Sequence, residues 1–330
     1  MGQIVLGIGT SHSPMLNASA GEWALFEARE PTMRLLDRDG RPTTYEAMVA
    51  EAAGRFDAEY TREKFAVRHA LAQAALDRLS GEIRSAALDA LIVIGDDQKE
   101  LFLDTNIPGL LVYNGKTLSH RPRAPKSEWV DWFAAIQSRY YIGHGKIDYP
   151  ADAELATHLI DQLVEHEFDV AVAQALPPGQ GEGHAFAFVH RRLLNFDPAV
   201  PMVPVYINTY YPPNQPTPER CYRFGQAIRA AVESYPAPVR AGILASGGLS
   251  HFAIDEPFDR EIIRALSDKD AEALNQLPRN KLNSGSSEIR NWIAAAGALE
   301  HLGLAWLEYV PAYRSPAGTG TGLCFASWRS

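Results

Sequence analysis

The apolar run Arg240-Ala241-Gly242-Ile243-Leu244-Ala245 leads through Ser246 into Gly247-Gly248-Leu249-Ser250-His251-Phe252. Its first half reads as a buried strand, because five of six side chains are small or apolar with no polar alternation. The two glycines let the backbone turn sharply and approach another group closely. His251 is then delivered just past a strand end, which is where open α/β sheets place their chemistry. A single histidine in such a turn is equally compatible with simple packing, so the remaining strand ends carry the decision.

Similar apolar runs recur along the chain. Gln3 to Gly9, Leu88 to Ile94, Gly109 to Tyr113, Asp169 to Ala173 and Met202 to Ile207 read as strands. Leu304 to Val310 and Gly322 to Trp328 read as a closing antiparallel pair. Between them, helical spacing predicts a long helix from about Arg62 to Leu76, and further helices over 151–167, 218–234 and 257–301. Strands alternating with helices predict a single-domain α/β/α sandwich with a mixed central sheet over residues 1–330. A helix-favouring region at about 20–87 is expected to form a lid-like insertion. The irregular, aromatic stretch 114–150 is expected to cross the active face.

Composition bounds the function. The chain has 330 residues, 46% hydrophobic and 22% charged, with a formal net charge of −9. An acidic chain without a basic stripe is not expected to bind nucleic acid. No apolar run reaches membrane-spanning length. Two cysteines, Cys221 and Cys324, form no CxxC pair, which suits a reducing compartment. No secretory leader is read at the N-terminus. The expectation is therefore a cytoplasmic protein with a small-molecule substrate, as a homodimer.

Several strands end in polar turns bearing His12, Gln98, His184, Asn208 and His251. Strand ends on one sheet edge converge, so these residues could share one pocket. Glu288, in Ser284-Gly285-Ser286-Ser287-Glu288-Ile289, reads most simply as an acid in a helix's first turn. His69, on the long predicted helix, reads as a helix-surface residue. Arg314 is balanced between a surface arginine and a carboxylate binder. Tyr210, Tyr211 and Tyr313 could line an aromatic-shaped pocket, although each taken singly reads more simply as packing.

Together the motifs resemble those of class III extradiol ring-cleavage dioxygenases of the protocatechuate 4,5-dioxygenase catalytic-subunit type. The resemblance rests on Gly9-Thr10-Ser11-His12-Ser13-Pro14, Val205-Tyr206-Ile207-Asn208-Thr209, Arg220-Cys221-Tyr222, Gly247-Gly248-Leu249-Ser250-His251, Gly285-Ser286-Ser287-Glu288-Ile289 and Gly297-Ala298-Leu299. They occur in the family's order through nearly the whole chain. The variant Gly95-Asp96-Asp97-Gln98 is most similar to the 3-O-methylgallate dioxygenase-like branch.

The resemblance implies a non-haem Fe(II) held by two histidines and a glutamate, with positions open for a catechol- or gallate-type aromatic acid and O₂. It places His12 and Glu288 as ligands, His251 as the acid–base residue, and His184 near the substrate. It also implies a substrate-contacting loop containing Thr319 and Thr321; Arg314, Asn208 and Tyr211 are further candidates for binding the substrate. The departure lies at the second histidine ligand, where this chain has Gln98. Gln98 can ligate through its carbonyl oxygen, another histidine such as His69 can enter, or the metal site can be weakened. The last alternative would leave a metal-dependent hydrolase-like enzyme or a binding protein on the same fold.

Overall fold

β-branched and aliphatic runs buried on both faces call for a sheet covered by helices on each side. In the computed structural model, which describes residues 1–330, eight segments form one sheet. They are β1 (Gly2–Thr10), β2 (Ala90–Gly95), β3 (Leu110–Tyr113), β4 (Ala171–Ala173), β5 (Met202–Ile207), β6 (Val239–Ser246), β7 (Gly303–Tyr313) and β8 (Gly320–Arg329). Their spatial order is β7-β8-β1-β6-β2-β5-β3-β4. The four central strands, β1, β6, β2 and β5, are mutually parallel. β8 pairs antiparallel with β1 and with β7, and β3 pairs antiparallel with β5. The sheet is mixed, as its sequence pattern predicts.

The period-two alternation of a strand sorts β2 cleanly. Ala90, Ile92 and Ile94 enter one core; Leu91 and Val93 enter the other. Helices Ala153–Glu165, Pro218–Glu233, Glu256–Asp268 and Ile289–Ala298 cover the first face. Pro218–Glu233 and Ile289–Ala298 approach so closely that a Cβ on Gly225 would lie 1.8 Å from the Ala294 carbonyl oxygen. Arg62–Ser85 covers the second face through Phe65, Ala72, Ala75, Leu76, Leu79 and Ile83.

Two expected regions divide more finely than the sequence suggests. Within 20–87, the helix Arg62–Ser85 is a layer of the sandwich, because its apolar stripe is buried on the sheet. Only the 3₁₀ run Ala20–Thr32 and the residue after it reach the cavity described below. The expected helical stretch 257–301 breaks at Lys269, whose φ of 55° ends the helix in the left-handed conformation. It resumes as the short helix Ala271–Asn275, the 3₁₀ turn Ser284–Glu288 and the helix Ile289–Ala298. Residues 114–150 fold as a two-stranded ribbon, Thr117–His120 with Ile147–Pro150, enclosing the helix Asp131–Ser138. No helix is long and apolar enough to cross a membrane.

Candidate active site

Parallel register brings four strand ends to one edge. Thr10 pairs with Ser246, Ala245 with Ile94, and Gly95 with Tyr206. The residues that follow, His12, Gly248 with His251, Gln98, and Tyr210, therefore line a common cavity of about 210 Å³. His184, Glu288, Arg314 and Thr321 line it too.

His12 is buried and held from behind. Its Nδ1 lies 2.9 Å from Ser246 Oγ, and that hydroxyl donates to the Ala185 carbonyl at 2.9 Å. Ser246 must then accept from His12, which places the proton on Nδ1 and leaves the Nε2 lone pair free. Tyr140 donates its hydroxyl to the His12 carbonyl. Nε2 is buried without a hydrogen-bond partner, 3.4 Å from Glu288 Oε2 and 3.9 Å from Asp96 Oδ1. Asp96 Oδ1 is equally orphaned.

Glu288 sits at the end of the 3₁₀ turn Ser284–Glu288. Gly248 donates its amide to Oε2 at 2.8 Å, and Oε1 lies 3.4 Å from His251 Nε2. The adjoining helix clasps β6: Asn291 Nδ2 donates to the Ser246 carbonyl and Trp292 Nε1 to the Gly247 carbonyl, each at 2.8 Å. The ordinary reading of Glu288 as a first-turn acid thus gives way to a carboxylate aimed into the cavity. Burial disfavours its charge, but the flanking His251 and His12 hold the carboxyl well below its usual range.

His251 donates from Nδ1 to the Leu249 carbonyl at 2.8 Å, leaving Nε2 towards Glu288. Its backbone exchanges hydrogen bonds with Ser286: His251 N to Ser286 Oγ at 2.9 Å, and Ser286 N to the His251 carbonyl at 2.8 Å. The imidazole lies so close to the 3₁₀ turn that a Cβ on Gly285 would stand 1.9 Å from its Cδ2. Asp259 anchors the preceding residue, accepting from Ser250 N and Oγ and from the Tyr309 hydroxyl. Burial disfavours the imidazolium, yet Glu288 outweighs it and raises the His251 pKa above its ordinary value.

His184 opens a short helix and faces the cavity. Its ring is edge-on to His12, with centroids 4.6 Å apart. Glu100 grips it twice, at 2.6 Å from Nδ1 and through the His184 backbone amide. Burial opposes the imidazolium, but Glu100 prevails and the pKa rises to about 9. Glu100 itself is pulled down to about 2 against its own burial by the same imidazole.

Asp96 lies in the Gly95-Asp96-Asp97-Gln98 turn and carries no sequence signal of its own. Burial and the nearby Glu288 carboxylate push its pKa up to about 6. Gln98 does reach the site, with Nε2 3.4 Å from Asp96 Oδ2 and 3.3 Å from Glu288 Oε1. His69 does not: its Nε2 meets the Ala18 carbonyl at 3.1 Å and its ring packs against Trp23, so that alternative falls away.

The residues proposed for substrate scatter. Arg314 lines the cavity, but its Nε is committed to Glu30 at 2.6 Å in a buried pair. Thr321 lines it and touches Ser13 Oγ at 3.2 Å. Thr319 is turned away, bonded to Ser315 Oγ at 2.7 Å. Asn208 builds a turn, donating to the Tyr211 carbonyl and accepting from the Tyr211 amide. Tyr210, not Tyr211, faces the cavity. Tyr313 bonds Glu256 at 2.9 Å outside it.

Sequence gave no local signal for Arg29. It lines the cavity with its guanidinium 3.4 Å over the Phe133 ring. Burial and the neighbouring Arg314 lower its pKa to about 10, against the opposing pull of the Glu30 carboxylate. Lys126, Phe26, Trp129 and Phe133 complete this wall.

A second buried group, His120, Glu182 and His190, lies apart from the cavity. Glu182 takes His120 Nδ1 at 2.5 Å and His190 Nδ1 at 2.8 Å, while His120 Nε2 accepts the Ile142 amide at 3.1 Å. These bonds satisfy both imidazoles against Glu182 and tie the ribbon to the segment before His184.

The residues present fit a divalent cation. Two orphaned ligand atoms, His12 Nε2 and Asp96 Oδ1, face each other beside the Glu288 carboxylate. His12, Asp96 and His184 each offer a ligand atom within 4.8 Å of the others. A buried pair of carboxylates that repel one another is stabilised by a cation between them.

Comparison with known proteins agrees with this chemistry. The family described as the catalytic LigB subunit of aromatic ring-opening dioxygenase matches residues 72–323. Gallate dioxygenase of Pseudomonas putida (strain KT2440) is 37% identical over 101 residues, covering 30% of this chain and 28% of that protein. The 2,3-dihydroxyphenylpropionate/2,3-dihydroxicinnamic acid 1,2-dioxygenase of Comamonas testosteroni is 29% identical over 98 residues, covering 30% of this chain and 29% of its own. The aligned stretches thus span under a third of either relative.

Proposed function

The chain belongs to the family of the catalytic LigB subunit of aromatic ring-opening dioxygenases, and on that premise we propose that it is an Fe(II)-dependent extradiol dioxygenase acting on a catechol- or gallate-type aromatic acid. The observation that carries this reading is the orphaned, buried Nε2 of His12 facing the Glu288 carboxylate in a cavity that also holds His251. His12 and Glu288 would hold the iron. Bound there, the iron would bring catecholate and O₂ together and pass electron density from one to the other.

The chain's own residues supply binding and proton movement. A catechol must lose a proton from each hydroxyl that it offers to a cation. His251 Nε2, anchored through Nδ1 to the Leu249 carbonyl, can accept such a proton and return it when the O–O bond breaks. Phe26, Trp129, Phe133 and Tyr210 give the cavity flat apolar walls suited to an aromatic ring. Arg29 and Lys126, neither in an ion pair within 4.0 Å, favour a substrate carrying a carboxylate.

The test is O₂ uptake by anaerobically Fe(II)-reconstituted protein with gallate, 3-O-methylgallate and protocatechuate. Turnover with at least one, accompanied by loss of the aromatic absorbance, is expected. Absence of uptake from an iron-loaded protein with every catechol would exclude the reading in favour of a hydrolase-like or binding role.

A further inference from the structure

The sequence leaves one ligand position open, because glutamine stands at residue 98 where the resemblance calls for histidine. We propose that His184 supplies the second imidazole of the metal site, and that Gln98 bridges the carboxylates as a hydrogen-bond donor. This rests on the metal-binding reading above but departs from the ligand set that the sequence suggests.

Three observations converge on His184. Its ligand atom lies within 4.8 Å of those of His12 and Asp96, and the two imidazoles stand 4.6 Å apart between centroids. Ligand atoms on a cation with bonds of about 2.1 Å lie roughly 3–4 Å apart, so His12, Asp96 and His184 need only a small inward movement to share one. Next, His184 is oriented as metal-bound histidines usually are. Its Nδ1 is held by a carboxylate, Glu100 Oε2, at 2.6 Å, and Tyr141 and Arg123 hold Glu100 in turn. A carboxylate behind the ring fixes the tautomer, points Nε2 outward and makes it a better donor. His12 is likewise held through Nδ1, by the Ser246 hydroxyl.

Gln98 is disposed in the opposite sense. Its amide reaches two carboxylates, Asp96 and Glu288, at 3.4 and 3.3 Å. Two anionic acceptors require the NH₂ group; turning the amide over would set its carbonyl oxygen against both of them. Gln98 therefore spaces Asp96 and Glu288, which is a positioning role. Of the remaining histidines only His251 lines the cavity, and its Nδ1 bond turns it towards Glu288.

The test reads the metal and needs no turnover. Apoprotein is loaded anaerobically with Co(II) and examined by proton NMR. Each imidazole bound through Nε2 keeps an exchangeable Nδ1–H, which the paramagnetic ion shifts far downfield. The wild-type chain is expected to show two such signals, one of them lost in His184→Ala and both kept in His251→Ala and Gln98→Ala. Co(II) affinity should fall about 100-fold or more in His184→Ala, about 10–100-fold in Glu100→Gln, and less than about 10-fold in Gln98→Ala. A single shifted signal in the wild type, or a second one that vanishes only in His251→Ala, would overturn the assignment while leaving a metal site. Failure of the wild type to bind Co(II) at all would overturn the metal-binding reading itself and the assignment with it.

Discussion

His12 and His251 both end their strands in turns, but they present opposite sides of the same problem. His12 Nε2 has no partner, whereas His251 Nε2 faces a carboxylate that can share its proton. On the proposed reading, removing His12 or Glu288 takes away a ligand, so His12→Ala and Glu288→Ala should each lose bound metal by elemental analysis. His251→Ala should retain metal and lose about 10²–10⁴-fold in kcat, the usual worth of a positioned acid–base group. Loss of metal from His251→Ala would contradict its role.

The two arginines of the cavity divide in the same way. Arg314 is neutralised by buried Glu30, so Arg314→Gln should cost stability, about 3–5 kcal/mol by leaving a buried carboxylate unpaired. Arg29 has no such partner. Arg29→Gln should raise KM for a carboxylated catechol about 10–100-fold, the worth of a charge-assisted hydrogen bond, with kcat nearly unchanged. Its KM for unsubstituted catechol should not move. Equal changes for both substrates would show that Arg29 shapes the cavity without contacting a carboxylate.

At the scale of elements, two surface segments close the cavity, and their contact is chemically simple. Glu22, at the start of the Ala20–Thr32 run, accepts from Ser19 N at 2.7 Å and pairs with Arg139 at 2.7 and 2.8 Å. One carboxylate thus caps its own helix and ties it to the end of the helix Asp131–Ser138. The Arg139 guanidinium, with the Ser19 bonds, holds the Glu22 carboxyl at about 2, below its unfolded value. A depressed carboxyl pKa stabilises the fold above the unfolded value and loses that contribution as pH falls through the folded one. Both side chains are partly exposed, so the pair is worth about 1 kcal/mol at most. Glu22→Gln should therefore lower thermal stability slightly at pH 7 and not at all near pH 2. Because Phe26, Arg29 and Met33 lie just beyond the tie, its substrate KM should also rise at neutral pH.

For the molecule as a whole, the sheet was legible and the cover over it was not. Apolar runs such as Leu88 to Ile94 and Met202 to Ile207 declare themselves, because a strand buried on both faces admits no polar residue. Parallel pairing then brings His12, Gln98 and His251 to one edge, which is why that part of the site could be read from strand ends. Helix identity was less legible in function: Arg62–Ser85 has a helical pattern, but nothing local says whether its apolar stripe covers a sheet or a ligand. Asn208, Tyr211 and Thr319 look functional beside the residues that line the cavity, yet their polar atoms close turns or contact neighbours. Conversely Arg29 and Glu100 carry no motif, because their roles depend on contacts with residues far along the chain, Phe133 and His184.

On the proposed reading, this edge of the sheet opens aromatic rings with O₂. An oxygen electrode combined with ultraviolet spectroscopy tests it most directly, using the Fe(II)-loaded full chain and a carboxylated catechol. One O₂ consumed per aromatic ring lost, abolished in Glu288→Ala, is the predicted result. Iron bound at full occupancy with no O₂ consumed and the ring absorbance intact, for gallate, 3-O-methylgallate and protocatechuate alike, would contradict it.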